Sequence, residues 1–107
     1  MISVIVPCFN EEETIHYFYQ AMEKVRIKMN EEFEYIFVND GSKDSTLSIL
    51  RSLSVQDRSV SYLSFSRNFG KEAALFAGLE AANGHLVTVM DADLQDPPEM
   101  LIEMKQM

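Results

Sequence analysis

The sequence has no tryptophan, one cysteine, three prolines and four glycines among 107 residues. A lone cysteine cannot close an internal disulfide, so Cys8 excludes a disulfide-stapled scaffold and agrees with a reducing, cytoplasmic setting. So little proline and glycine excludes collagen-like and low-complexity chains. No apolar run approaches the roughly 20 residues that a membrane-spanning helix needs. Cations are also scarce: 9 Lys plus Arg face 17 Asp plus Glu, for a formal net charge of -8. Such a balance argues against nucleic acid held by bulk attraction, and any bound phosphate must be gripped locally. The opening MISVIVPCFNEEE carries no basic leader and is expected to be neither signal nor transit peptide. The closing LIEMKQM stops in mid-helical pattern without Gly, Asn or Pro, so the chain is expected to be truncated at that end.

What is present is apolar material, 47% of the residues, enough for one compact domain. Four short runs rich in β-branched and aromatic residues predict strands over Ile2 to Pro7, Tyr35 to Asn39, Val60 to Phe65 and Leu86 to Met90. Their near-continuous hydrophobicity marks strands covered on both faces, as in a parallel sheet. Between them lie helical patterns. The first opens with Asn10 as cap and Glu13 reaching back, and puts Ile15, Phe18, Met22, Val25 and Met29 on one stripe. A second starts near Ser42, with Asp44 in its first turn, and buries Leu47, Leu50 and Leu53. A third runs from about Lys71 to Asn83, closed by Gly84 as a left-handed cap. A last one begins with Asp96 as cap, Pro97 in its first turn and Glu99 beyond. The fold class is therefore α/β, a Rossmann-like parallel sheet with flanking helices, whose ligands collect at the carboxyl ends of the strands.

Those ends carry PCFNE, NDGS, SRNFGK and DADLQD, and all four fall on one edge, so Pro7, Asp40, Arg67 and Asp91 are expected around one cleft. Asp91 and Asp93 follow a buried strand, and two carboxylates so close are costly to keep ionised unless a hard cation such as Mg2+ or Mn2+ joins them. A solvated acidic turn is the plainer alternative. Asp40, ahead of Gly41 and Ser42, can accept hydrogen bonds from a nucleobase N–H or a ribose hydroxyl, or can belong to an ordinary Asp-Gly turn. Arg67 and Lys71, near a helix N-terminus and beside Gly70, make a plausible pyrophosphate clamp, or a solvated loop with scattered charges. Phe9 can lie against a flat base or simply close the core. Cys8 reads as a small buried filler, and His16 and His85 as structural or solvated.

The segments VIVPCFNEEETI, YIFVNDGSKDST, SRNFGKEAAL and VTVMDADLQDPPE resemble, in order and spacing, the N-terminal half of family 2 glycosyltransferases of the GT-A fold. The resemblance is strongest to the branch that moves sugar from a nucleotide to dolichyl or polyprenyl phosphate, the dolichyl-phosphate mannosyltransferases and bactoprenol glucosyltransferases. It implies that Pro7, Phe9 and Glu11 contact the base, that Asp40 recognises base or ribose, and that Asp91, Asp93 and Gln95 hold the metal. Arg67 and Lys71 are assigned to the diphosphate on charge and position. The resemblance further implies a UDP- or GDP-sugar donor, a lipid-phosphate acceptor and a parent enzyme at the cytoplasmic face of a membrane. No general base is assigned within these residues, and the catalytic residues are left unknown. Apolar surface left uncovered makes a homo-oligomer an expectation as well. Two rivals fit less well. A non-catalytic receiver-like signalling module needs an acidic pair after its first strand and a phospho-accepting Asp after its third, where this chain has SRN. A dinucleotide-dependent oxidoreductase needs a G-x-G-x-x-G turn after its first strand.

Overall fold

Near-continuous apolar strands joined by helices call for a parallel sheet whose apolar faces are covered by those helices packing back across it. The computed structural model, which describes residues 1–93 and 101–102, has that arrangement. Its elements are β1 (Ile2–Cys8), α1 (Ile15–Met29), β2 (Phe33–Asn39), α2 (Thr46–Gln56), β3 (Val60–Ser64), α3 (Lys71–Ala81) and β4 (Leu86–Val89). The four strands are parallel throughout, in the order β3-β2-β1-β4. Ile5 stands beside Ile36 and Val89, and Cys8, Asn39 and Ser64 are level. The residues after each strand therefore emerge together. Gln95 and the helix start at Asp96, Pro97 and Glu99 lie outside the described residues, as does Met104; Leu101 and Ile102 are helical.

Most of the core lies on one face. Ile2, Val4, Val6 and Cys8 of β1 and Phe33, Tyr35 and Phe37 of β2 meet Ile15, Phe18, Met22 and Val25 of α1, Leu50 and Leu53 of α2, and Leu101. Fully burying such a side chain contributes about 1.5–3 kcal/mol, so this face dominates the stability. Phe18 meets Phe37 edge-on, with ring centroids 6.2 Å apart. The other face is thinner: Ile36 and Val38 pack on Ala74 of α3. Gly78 lets α3 approach, since a Cβ there would stand 2.5 Å from Cγ2 of Ile5. The edge strands are not covered on both faces as their hydrophobicity predicts, because one helix spans only the middle of this side. Leu63, Val87 and Val89 are partly exposed there, and Phe76 and Leu79 of α3 are exposed. Among the described residues no helix is long and apolar enough to cross a membrane.

Three helix boundaries differ from the sequence expectation. Asn10 does not cap α1, which opens at Ile15, five residues on, with Thr14 in the cap position. Asn10 instead adopts φ 54° and its side chain accepts the N–H of Lys43 at 2.9 Å, a partner 33 residues away. The second helix begins at Thr46 rather than near Ser42, and Leu47 is half-buried. Gly84 is not a left-handed cap, for α3 ends at Ala81 with Ala82 extended. Its small size serves a close approach instead: a Cβ there would meet the nitrogen of Ser3 at 2.7 Å and the carbonyl oxygen of Met1 at 2.8 Å.

Candidate functional site

At the carboxyl edge, Pro7, Cys8, Phe9, Glu11, Asp40, Lys71 and Asp91 line a cleft of about 170 Å3. β1 supplies the first four through its end and the turn beyond it. β2 supplies Asp40, whose N–H donates to the carbonyl of Cys8 at 2.8 Å. β4 supplies Asp91 after Met90, which still holds β1 through its N–H to Ile5 at 3.0 Å. Of the residues singled out in the sequence, Pro7, Phe9, Glu11, Asp40, Lys71 and Asp91 come together here. Arg67 does not line the cleft. Its guanidinium lies over the ring of Phe69, 4.8 Å from the centroid, and Phe69 in turn meets Phe65 edge-on at 5.6 Å. Cation and aromatic ring stabilise each other there, which explains why Arg67 stays outside. Gln95 lies outside the described residues.

The turns after β1 and β2 form a clasp that the sequence did not reveal. The N–H of Asn10 donates to Ser42 Oγ at 2.9 Å, and the N–H of Glu11 to Thr46 Oγ1 at 2.9 Å. The N–H of Glu12 donates to Asp44 Oδ2 at 3.2 Å, and that of Ser45 to Glu12 Oε2 at 3.0 Å. Burial pushes the Asp44 carboxyl up, but the hydroxyl and N–H of Thr46 and the N–H of Glu12 outweigh it and hold the group below its ordinary value. Nothing local marks these pairings, since each partner sits about 33 residues from the other. The only hint in the sequence is that both turns are crowded with side chains able to accept from main-chain N–H groups.

Asp40 is nearly buried, 5% exposed, and both of its oxygens accept main-chain N–H groups: Phe69 at 2.7 Å and Gly70 at 3.1 Å. Gly70, at φ 101°, leads directly into α3. Lys71, the first residue of α3, places its Nζ 3.1 Å from Asp91 Oδ1. Cys8 closes the floor but offers no nucleophile. Burial, and then the carboxylates of Glu11 and Asp44, push its thiol well above the ordinary range, so it stays protonated.

Ala92 is buried between half-buried Asp91 and exposed Asp93. Among the described residues no group of three or more His, Cys, Asp or Glu side chains could hold a metal ion alone. Two hard carboxylates without a third suit a divalent cation that completes its shell with water and phosphate oxygens. A larger recess of about 690 Å3 lies at the amino edge. Three of its carboxylates are already engaged: Glu34 accepts from Ser3 and Asn83, Glu23 from Arg26 and Tyr35, and Asp57 from Tyr19 and Ser59.

The model for the family described as glycosyl transferase family 2 matches residues 3–106. The bactoprenol glucosyl transferase of Shigella phage SfV is 53% identical over 100 residues, covering 94% of this chain and 33% of that protein. A mannosyltransferase from Pyrobaculum calidifontis, PcManGT, in complex with GDP-Man and Mn2+, is similar at TM-score 0.73 and 26% identity, over 90% of this chain and 32% of its own. Residues 1–349 of S. aureus TarS in complex with UDP-GlcNAc are similar at TM-score 0.76 and 28% identity, over 98% of this chain and 30% of theirs. The chain spans about a third of the length of the curated relatives it matches.

Proposed function

The chain belongs to glycosyl transferase family 2, and from that premise we propose that it is the donor-binding part of a hexosyltransferase acting on a polyprenyl or dolichyl phosphate. The observation that carries the reading is the convergence of Glu11, Asp40, Lys71 and Asp91, from the ends of different elements, on one cleft. Structural neighbours complexed with GDP-Man and with UDP-GlcNAc support a UDP- or GDP-sugar donor. Relatives named bactoprenol glucosyl transferases support the lipid-phosphate acceptor, and with it a parent at the cytoplasmic face of a membrane. Family membership sets the receiver-like alternative aside.

In this reading Pro7, Phe9 and Glu11 form the wall for the base, and the Asn10 to Thr46 clasp keeps that wall rigid before the donor arrives. Lys71 brings an ammonium to the phosphates at the start of α3, where the helix dipole also favours an anion. Asp91 and Asp93 would hold Mg2+ or Mn2+, with Gln95 the further position that the resemblance implies. When bound, such a cation offsets the charge that builds on the departing nucleoside diphosphate. Arg67 has a weaker claim on the diphosphate because its guanidinium is engaged by Phe69.

Calorimetric titration with UDP and GDP, with and without Mn2+, tests the reading. One of the two diphosphates should bind only with the cation, and Asp93→Ala should weaken it about tenfold or more by removing a carboxylate that attracts the metal. Equal affinity in the variant, or binding indifferent to Mn2+, would sink the assignment.

A further inference from the structure

Asp40 lines the cleft, yet its carboxylate is already spoken for by the N–H groups of Phe69 and Gly70. Hydrogen bonds to an ionised acceptor are the strong ones, and two of them fix the carboxylate and the segment together. Gly41 adds a second grip. At φ 70° it carries no Cβ, and one built there would stand 2.2 Å from the carbonyl carbon of Arg67 and 2.3 Å from the nitrogen of Asn68. The main chain of 67–68 thus lies directly against β2's exit. The gripped segment continues into Gly70 and then Lys71, whose ammonium meets Asp91. A continuous line of contacts therefore runs from the end of β2, through the start of α3, to the end of β4.

We infer that Asp40 is a positioning residue whose carboxylate fixes segment 67–70 so that the Lys71 ammonium stands beside Asp91, ready for the phosphates of a nucleoside diphosphate. The inference rests on the donor-binding reading of the cleft and goes beyond it, since the family resemblance gives Asp40 only a contact to base or ribose. Its consequence is specific: beyond any contact to base or ribose, Asp40 contributes to donor binding through Lys71 at the phosphates.

The test uses Asp40→Asn, which keeps the shape but turns an NH2 toward one of the two N–H groups, and Asp40→Glu, which keeps the charge but displaces it. Ligand-free protein is first acetylated with an N-hydroxysuccinimide ester, and the rate at Lys71 is read by peptide mass spectrometry against exposed Lys24. Release from Asp91 should raise the Lys71 rate about twofold in both variants, the scale of an exposed ion pair. Titrations with Mn2+ then compare uridine and guanosine with UDP and GDP, in wild-type and Lys71→Met backgrounds. Diphosphate affinity should fall about tenfold further than nucleoside affinity in the Asp40 variants, and that excess should largely vanish once Lys71 is methionine. An unchanged Lys71 rate in a folded variant overturns the inference. So does a nucleoside loss equal to the diphosphate loss, or additive effects of the two positions. Were wild type to bind no diphosphate, the donor-binding reading would fail, while the acetylation rate would still decide whether Asp40 holds Lys71.

Discussion

Replacing Gly41 by alanine perturbs the site through the main chain alone. The residue sits at φ 70°, and the left-handed region costs an L residue about 1–2 kcal/mol. The added Cβ would also lie 2.2 Å from the carbonyl carbon of Arg67 and 2.8 Å from its Cα, and no rotamer can relieve a contact with backbone. Ordinary contact begins at 3.4 Å, so segment 67–68 must retreat by about 1 Å. That retreat strains the bonds from Phe69 and Gly70 to Asp40, which stand at 2.7 and 3.1 Å. Hydrogen bonds to a charged group are worth about 1.5–3 kcal/mol each, and losing one brings the total to about 3–5 kcal/mol. A domain of this size has about 5–15 kcal/mol to lose. Urea unfolding followed by far-ultraviolet circular dichroism should therefore show a midpoint lower by about 1.5–3 M at an unchanged slope. A loss below about 1 kcal/mol would refute the reasoning, because it would mean that segment 67–68 moves aside freely and does not depend on Gly41.

Leu101→Ala should cost about 2–4 kcal/mol in the same assay, since Leu101 is 1% exposed within the main core; a cost under about 1 kcal/mol would place it outside that core. Asp44 is held below its ordinary value near pH 4, so its contribution is present above that pH and lost as the pH falls through the lowered folded value. Asp44→Asn should accordingly flatten the acid limb of a stability-versus-pH curve, and an unchanged limb would contradict the clasp. Cys8 should resist iodoacetamide at neutral pH and react only when urea unfolds the chain, because burial keeps its thiol protonated; labelling of the native protein at the rate of a free thiol would contradict this.

Strand runs such as Ile2 to Pro7 and the α1 stripe of Ile15, Phe18, Met22 and Val25 were legible because their signals are local: residue type, and periods of 2 or 3.6. The carboxyl-edge placement of Pro7, Asp40 and Asp91 followed from topology, since parallel strands present every such end on one side. Local rules failed where a distant partner competed. Asn10 fits the pattern of a helix cap, but the turn after β2 offers it the hydroxyl of Ser42 and the main-chain N–H of Lys43, so α1 starts later. Gly84 fits the pattern of a left-handed cap, but its lack of a side chain is used against β1.

By itself, then, the sequence determined the element types, the parallel sense of the strands and the polar residues presented at the strand ends, because these depend on local residue patterns and on helical crossover connections. Only the tertiary structure decided which of those polar groups meet. Lys71 reaches Asp91 across 20 residues, Asp40 holds the amides of Phe69 and Gly70 across about 30, and Arg67 turns to Phe69 instead of the cleft. Such pairings depend on distances between separate turns, and those distances exist only once the sheet has brought the turns to one edge.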